Sequence, residues 1–429
     1  MLKTDIFLPV YRAVAIGFAP FSGLFLRRRA QKGKEDPNRL EEKRGFASLP
    51  RPAGRLAWLH GASVGEGLAL LPLVERLIAK GFHVLITSGT VTSSRILAQR
   101  LPSGASHQFA PLDIPAFVER FLDHWRPDLF LLAESEIWPN TISAVHARNI
   151  PITLVNARLS PRSFARWRRI PGFISALLGR IDLCLAQSEE DAVRLIQLGA
   201  PRVQTVGNLK YDVDAPPADP ARLEALARQI GPRQIWIAAS THAGEEALAM
   251  EAHKRLSVKF PSLLTVIAPR HPDRGAEIME HARLTLLETA RRSAGEPIRR
   301  STQIYIGDTI GELGLFYRLS SVIFVGKSLV GEGGQNPIEP AKLGSAILHG
   351  PNIGNFIDVY AALDKKGGAI LVRDLDDLVL AIERLFTDPA YLRRVAETSR
   401  RTVDGLGGAA DKIMQALEHY IAHMIVQRQ

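Results

Sequence analysis

Trp58-Leu59-His60-Gly61-Ala62-Ser63-Val64-Gly65-Glu66 and Trp236-Ile237-Ala238-Ala239-Ser240-Thr241-His242-Ala243-Gly244-Glu245 share one pattern, with slips of one or two residues. Each reads as a buried apolar strand, a turn of small residues and a helix that starts near its glutamate. Such an opening begins a doubly wound unit, and this chain has it twice. Around the first opening, strand-like runs fall at Leu56–His60, His83–Thr87, Asp128–Ala133, Ile152–Asn156, Ile181–Ala186 and Val203–Val206. Amphipathic stretches such as Leu68–Ala79 and Glu189–Leu198 separate them. The rhythm breaks at the proline- and acid-rich Asp212–Pro220, a linker composition. It resumes at Gln234–Ala239, Leu263–Ala268, Gln303–Ile306, Val322–Val325, Ala346–His349 and Ala369–Val372. Buried strands alternating with helices predict an α/β fold of two Rossmann-like domains facing a cleft, with ligands at the carboxyl ends of the strands.

The expected division is an N-terminal anchor over residues 1–30, a first domain over 45–214, a second over 215–410 and a C-terminal helix over 411–429. The length of 429 residues suits two domains. Hydrophobic residues at 46% and charged residues at 23% exclude disordered and fibrous classes. The single cysteine, Cys184, closes no intramolecular disulfide and sits in an apolar run, where it reads as a small core residue. From Ile6 to Leu26 the chain is mostly apolar, interrupted by Pro9, Arg12 and Pro20, and it is followed by Arg27-Arg28-Arg29. Twenty-one helical residues reach about 30 Å. A membrane span, an interfacial helix and an ordinary core helix all fit this pattern. For the first two, the arginine triplet keeps the body on the cytoplasmic side.

The net charge of +10 favours an acidic partner. Arg158, Arg162, Arg166, Arg168 and Arg169 interleave with Phe164, Trp167 and Phe173, an arrangement suited to a lipid surface or simply to solvent. No nucleic-acid motif accompanies them. Neither half carries Gly-x-Gly-x-x-Gly or a phosphate-loop signature, which leaves nicotinamide chemistry and phosphate-loop ATPases without support.

Several residues carry chemistry at the predicted strand ends. Ser63-Val64-Gly65-Glu66 is a capping box in form, and capping and catalysis are equally good accounts of Glu66. Its flanking Gly61, Gly65 and Gly67 are costly at a helix start and allow a ligand or backbone to approach closely. Ala133-Glu134-Ser135-Glu136-Ile137-Trp138-Pro139-Asn140 sets two carboxylates and a tryptophan after a strand, an arrangement suited to a site or to a capped helix whose acids complement its dipole. Lys210, in Asn208-Leu209-Lys210, could stabilise phosphate or developing negative charge, or be a surface lysine. In the second half Pro269-Arg270-His271 offers a phosphate-binding arginine. Thr309-Ile310-Gly311-Glu312 forms a loop at the same edge. Gly334-Gln335-Asn336-Pro337-Ile338-Glu339 reads as a glycine turn with Asn336 capping, Pro337 first in the helix and Glu339 third, a seat for phosphate and ribose. Asp374-Leu375-Asp376 imitates a metal-binding motif but reads better as a helix cap, so no metal and no other cofactor is expected.

Taken together, His60–Glu66, Ala133–Asn140, Gly207–Lys210 and Gly334–Pro340 resemble the 3-deoxy-D-manno-octulosonic acid (Kdo) transferases across essentially the whole chain. The resemblance implies a GT-B fold and inverting transfer of Kdo from CMP-Kdo to a lipid A precursor, lipid IVA, in lipopolysaccharide core biosynthesis at the inner membrane. It implies Glu66 as general base and Glu136 and Lys210 as transition-state stabilisers. It also implies CMP contacts from Pro269, Arg270, Ile310, Gly311, Glu312, Asn336, Pro337, Ile338 and Glu339. Where the family commonly shows Gly-Gly-Ser, this chain has Gly326-Lys327-Ser328. Two rivals are a sugar-nucleotide epimerase built from the same two domains and a non-enzymatic module that binds anionic lipid.

Overall fold

The computed structural model describes residues 7–426. The first residue of the predicted apolar run, Ile6, and the ends of the predicted 1–30 and 411–429 segments lie outside the described residues. The chain forms two compact units that divide between Val213 and Asp214, and residues from Gly407 onward return to the first unit.

The first unit is built on seven strands: β1 (Leu56–His60), β2 (His83–Ser88), β3 (Ala105–Phe109), β4 (Leu129–Ala133), β5 (Ile152–Ala157), β6 (Leu183–Ala186) and β7 (Val203–Thr205). Their order is β3-β2-β1-β4-β5-β6-β7, and every pairing is parallel. The second unit repeats the plan with β8 (Ile235–Thr241), β9 (Leu264–Pro269), β10 (Thr289–Arg291), β11 (Ile304–Ile306), β12 (Val322–Val325), β13 (Ala346–His349) and β14 (Ala369–Leu371). Here the order is β10-β11-β9-β8-β12-β13-β14, again all parallel.

Central strands are buried on both faces, as β1 and β4 show along their whole length. Leu59, Leu131 and Leu185 point into one layer with helix Leu71–Ala79, while Trp58, Phe130 and Leu154 point into the other with Phe121 and Trp125. Full burial of such side chains stabilises by ~1.5–3 kcal/mol each. Cys184 lies in this second layer, where burial pushes its thiol up to about 12, so it stays a neutral packing residue at neutral pH.

The C-terminal helix, Ala409–Val426, is an integral layer of the first unit. Ile413, Leu417 and Ile421 pack with Leu59, Leu73 and Leu77. Asp212, just past the last strand, caps it by accepting from the Gly408 and Ala410 amides at 2.5 and 2.6 Å. The predicted linker is packed as well: Arg318 donates to the Pro216 carbonyl at 2.6 Å, and a Cβ on Gly314 would lie 2.5 Å from the Pro217 oxygen.

The N-terminal apolar run is helical from Phe7 to Gln31, with a tighter turn at Ala19–Phe21 where Pro20 interrupts it. It is long and apolar enough to cross a membrane, by length and composition. Nevertheless it lies along the first unit. Tyr11 donates to Asp113 at 3.0 Å, the Phe7 ring stands 6.3 Å from Phe173, and Leu26 is fully buried. Val10, Val14, Ile16, Phe18, Phe21 and Leu24 remain exposed.

Candidate active site

The predicted catalytic residues of the first unit follow β1, β4 and β7. Helix Val64–Ala69 starts straight after β1 with Ser63 as its cap, and Glu66 occupies its first turn. Ser63 Oγ accepts from the Glu66 amide at 3.3 Å and donates to Glu66 Oε1 at 2.8 Å. Glu66 Oε2 accepts from the Ala62 amide at 2.8 Å. The carboxylate thus does cap, one residue further back than the usual reciprocal box. Burial pushes its pKa up, reinforced by the charges of Glu136 and Glu134 and opposed by the Ser63 and Ala62 bonds.

The flanking glycines have separate reasons. A Cβ on Gly61 would lie 3.0 Å from Glu66 Cβ and 3.1 Å from Glu66 C and Gly67 N, and one on Gly67 would lie 3.2 Å from Leu97. Both are small because the turn packs on itself and on helix Val91–Arg100. Of the two expected reasons, close packing fits Gly61 and Gly67, and Gly65 alone of the three faces open space where a ligand could approach.

Glu136 follows β4. Trp138 Nε1 donates to its Oε2 at 2.7 Å, and His60 Nε2 lies 3.7 Å from the same oxygen. Burial pushes Glu136 up, but His60 and the Trp138 N–H outweigh it and hold the pKa below the usual carboxylate range. His60 is oriented from behind: Thr87 Oγ1 accepts from Trp58 Nε1 at 2.9 Å and stands 2.9 Å from His60 Nδ1, against 3.4 Å from the Leu59 carbonyl. The shorter contact gives the threonine proton to Nδ1, which leaves the Nε2 proton turned to Glu136; this tautomer is inferred from the network.

Lys210 sits in a single turn, Leu209–Tyr211, and donates to Glu134 Oε1 at 2.7 Å. Glu134 itself is held at φ 51°, a left-handed conformation that strains a non-glycine residue. Glu134 and Lys210 are therefore a pair, so both carboxylates of the motif stand at the site, although the resemblance assigned a role to Glu136 alone. Asn156, buried in β5 at φ 52°, accepts from the Leu209 amide at 2.9 Å and so fixes the lysine turn. Asn156 was legible only as a strand residue, since its partner lies 53 positions away.

In the second unit the predicted donor-site residues line the carboxyl ends of β8, β9, β11 and β12. Pro269 ends β9, and the Arg270 amide donates to Thr241 O at 3.0 Å. Ile310 is exposed and Gly311 has φ 83°, a conformation suited to glycine. The Glu312 carboxylate is already engaged. Arg292 holds it through two bonds of 2.7 and 2.9 Å, Thr309 donates at 2.6 Å and Arg222 at 3.1 Å. The Arg292 bonds chiefly, with Thr309 and Arg222 adding against burial, hold its pKa down to about 2. It shapes the loop whose Ile310 and Gly311 face outward.

Asn336 Oδ1 accepts from the Ile338 amide at 3.0 Å. The next helix, Ile338–Lys342, begins one residue later than expected, with Pro337 in the capping position. Gly333 and Gly334 have φ 112° and 66°, and a Cβ on either would meet Asn355 Nδ2 or Asn352 O within 2.8 Å. Lys327 occupies the turn after β12 at φ 55°. Burial lowers the pKa of nearby His242 against the opposing Glu245, with Lys327 and Arg270 adding to the lowering, and the His242 and His271 rings stand 5.7 Å apart. Glu245, the counterpart of Glu66, is buried and accepts from the amides of His242, Lys327, Ser328 and Leu329 at 2.7–3.1 Å.

Comparison with known proteins agrees with this architecture. Residues 38–213 match the family model described as 3-deoxy-D-manno-octulosonic-acid transferase (kdotransferase). A probable mitochondrial 3-deoxy-D-manno-octulosonic acid transferase of Arabidopsis thaliana is 33% identical over 94% of each chain. The 3-deoxy-D-manno-octulosonic acid transferase of Haemophilus influenzae is 34% identical over 89% of this chain and 91% of its own. Among solved structures, UDP-GlcNAc 2-epimerase from Neisseria meningitidis, bound to UDP-GlcNAc, superposes with a TM-score of 0.61 at 14% identity, over 85% of this chain and 100% of its own. That likeness shows the shared GT-B type of fold. Full-length similarity to the two transferases shows that this chain belongs to the 3-deoxy-D-manno-octulosonic acid transferase family, and so is a glycosyltransferase.

Proposed function

We propose that the chain transfers Kdo from CMP-Kdo to a lipid A precursor, lipid IVA, with inversion at the anomeric carbon and with Glu66 as general base. The observation that carries this reading is the opposite displacement of two neighbouring carboxylates: Glu66 raised by burial, Glu136 held down by His60 and Trp138. Paired carboxyls pushed apart in this way divide into proton acceptor and fixed charge. The acceptor hydroxyl gives its proton to Glu66 as its oxygen bonds to the anomeric carbon. The bond from that carbon to the CMP phosphate oxygen breaks, and the electron pair leaves with CMP. One displacement inverts the centre and needs no covalent intermediate. Lys210, held by Glu134, and Glu136 act on the charge that develops.

On the donor side, Arg270 and Lys327 supply positive charge for the phosphate, and the loops of Pro269, Ile310–Glu312 and Asn336–Glu339 enclose the nucleotide. Helix Phe7–Gln31 attaches the enzyme to the inner membrane as an interfacial element with the body on the cytoplasmic side. Its outer apolar face and the exposed Arg158, Arg162, Arg166, Arg168 and Arg169 support this.

The test is incubation with CMP-Kdo and lipid IVA. Glu66→Gln is expected to keep its CMP-induced thermal shift and to lose transfer by a factor of roughly 10² or more. Undiminished transfer by the folded variant would overturn the mechanism.

A further inference from the structure

Between helix Ser22–Gln31 and the carboxyl ends of β1 and β4, the first unit contains a cavity of about 340 Å³. That volume lies within the ~300–1,000 Å³ typical of ligand sites. Its floor is the stacked pair Trp58 and Phe130, with ring centroids 3.8 Å apart. Phe25 and Trp138 line it as well.

The charged groups around the cavity are all engaged within the protein. Arg29 donates to Glu35 at 2.7 Å, and Lys43 donates to the Gly89 carbonyl at 2.8 Å with Glu35 3.8 Å away. Asp113 accepts from Tyr11, from the Asn140 and Thr141 amides and from the Thr141 hydroxyl, at 2.6–3.0 Å. The surface left for a ligand is apolar, and a polar molecule there would find few unspent partners.

Two continuities name the occupant. Phe25 belongs to the exposed apolar face that includes Phe18, Phe21 and Leu24 on the candidate membrane helix. A chain following that face passes Phe25 into the cavity beside Arg29, whose guanidinium is bonded to Glu35 and lies 5.6 Å from the Phe25 ring. Trp138 is bonded to Glu136, and Ala62, which also lines the cavity, donates to Glu66. A molecule with its chain in the cavity has its polar head at the carboxylates.

We propose that this cavity takes one fatty acyl chain of the acceptor lipid, so that acceptor acylation is read beside Glu66. The inference rests on the transferase reading above. Burial of each added methylene is expected to lower the acceptor KM about fourfold (~0.8 kcal/mol) until the cavity is full. Ala110 lines the cavity and is partly exposed, so Ala110→Phe fills it and Phe25→Ala widens it.

The experiment measures transfer to lipid IVA analogues of graded chain length and to the fully deacylated disaccharide. In Ala110→Phe, the ratio of kcat/KM for acylated over deacylated acceptor is expected to fall at least tenfold. In Phe25→Ala, the preferred chain length shifts upward. Binding is read separately, through quenching of tryptophan emission by a brominated dodecyl maltoside. Quenching is expected to saturate in the wild type and to vanish in Ala110→Phe. Saturable quenching that Ala110→Phe removes, with no transfer to any acceptor, would keep the chain site and reject the transferase reading. Transfer with wild-type chain-length dependence and wild-type quenching in both variants would reject the chain site. If Ala110→Phe fails to fold, the direction of the shift in Phe25→Ala decides.

Discussion

Gly61→Ala and Gly65→Ala test whether the turn before Glu66 is small for its own packing or for its ligand. At Gly61 a methyl group would lie about 0.4 Å inside the 3.4 Å at which ordinary contact begins, and two of the three nearest atoms are backbone. Backbone cannot rotate away as a side-chain tip does. Helix Val64–Ala69 must therefore shift by a few tenths of an ångström and carry Glu66 with it. Overpacking of this kind costs at least about 1 kcal/mol, or roughly 2–4 °C in the midpoint of a unit this size. Catalytic groups tolerate displacements of only ~0.5 Å, and 1 Å can cost ~10²-fold, so transfer should fall roughly tenfold.

Gly65 has nothing within 4 Å of its virtual Cβ and lies inside the helix. Alanine there raises helix propensity by ~0.8–1 kcal/mol, and stability should rise or hold. If the acceptor approaches at Gly65, kcat/KM for the acceptor falls while CMP affinity is unchanged. The assay pairs thermal unfolding with initial rates at varied acceptor and fixed, saturating CMP-Kdo. Stability and activity then fall together in Gly61→Ala and move oppositely in Gly65→Ala. Wild-type rate and midpoint in Gly61→Ala would refute the packing argument, and full activity in Gly65→Ala would refute close approach.

The charges around Glu66 predict two opposed shifts in the acid limb of the kcat/KM profile. The base works when deprotonated, and the negative charges of Glu136 and Glu134 add to the burial that raises its pKa. Glu136→Gln removes one such charge and should move the limb to lower pH. Lys210→Ala leaves Glu134 without its 2.7 Å partner and should move it to higher pH; identical profiles in both variants would refute the coupling. In the second unit, Glu245→Gln replaces a carboxylate that accepts from five backbone amides with a group having one acceptor oxygen. Unpaired buried amides cost ~1–3 kcal/mol each, so unfolding in urea should come earlier by about 3 kcal/mol with CMP binding weakened; a midpoint equal to wild type would contradict this.

Much of this fold was legible because its central strands are short, apolar and followed by small-residue turns. The two strands that sequence reading missed, β3 and β10, are both edge strands. Ala-Ser-His-Gln-Phe and Thr-Ala-Arg carry polar side chains to a sheet margin, where alternation fades. The C-terminal helix was legible as a helix but not as part of the first unit, since its cap, Asp212, lies 196 residues before Gly408. The site divided in the same way. Local motifs exposed Glu66, Glu136 and Lys210, each beside its own glycine, tryptophan or asparagine. The partnership of Lys210 with Glu134, and the hold of Asn156 on the lysine turn, span 76 and 53 residues and exist only in the fold.

The echo between the two halves gains its meaning from that contrast. Both openings deliver a glutamate to the first turn of a helix after the first strand of a sheet. In the second unit the turn Gly326–Val330 folds over the carboxylate, and Gly326 lacks a side chain because a Cβ would lie 2.8 Å from Glu245 Oε2. That carboxylate is fully spent, and it turns the loop into a rigid frame whose Lys327 stands among Arg270 and His271. In the first unit the hydrogen bonds to the Glu66 carboxylate come from its own turn. Its carboxylate has one amide and one hydroxyl, while Gly65 leaves the space beside it open. The same residue at the same place is tied up by backbone amides in the second unit and, in our proposal, left to act as a base in the first. The difference lies in the loop after the neighbouring parallel strand, β12 beside β8 in one unit and β4 beside β1 in the other. Those loops lie some 70–80 residues along the chain from each glutamate, so no pattern around either one records its fate.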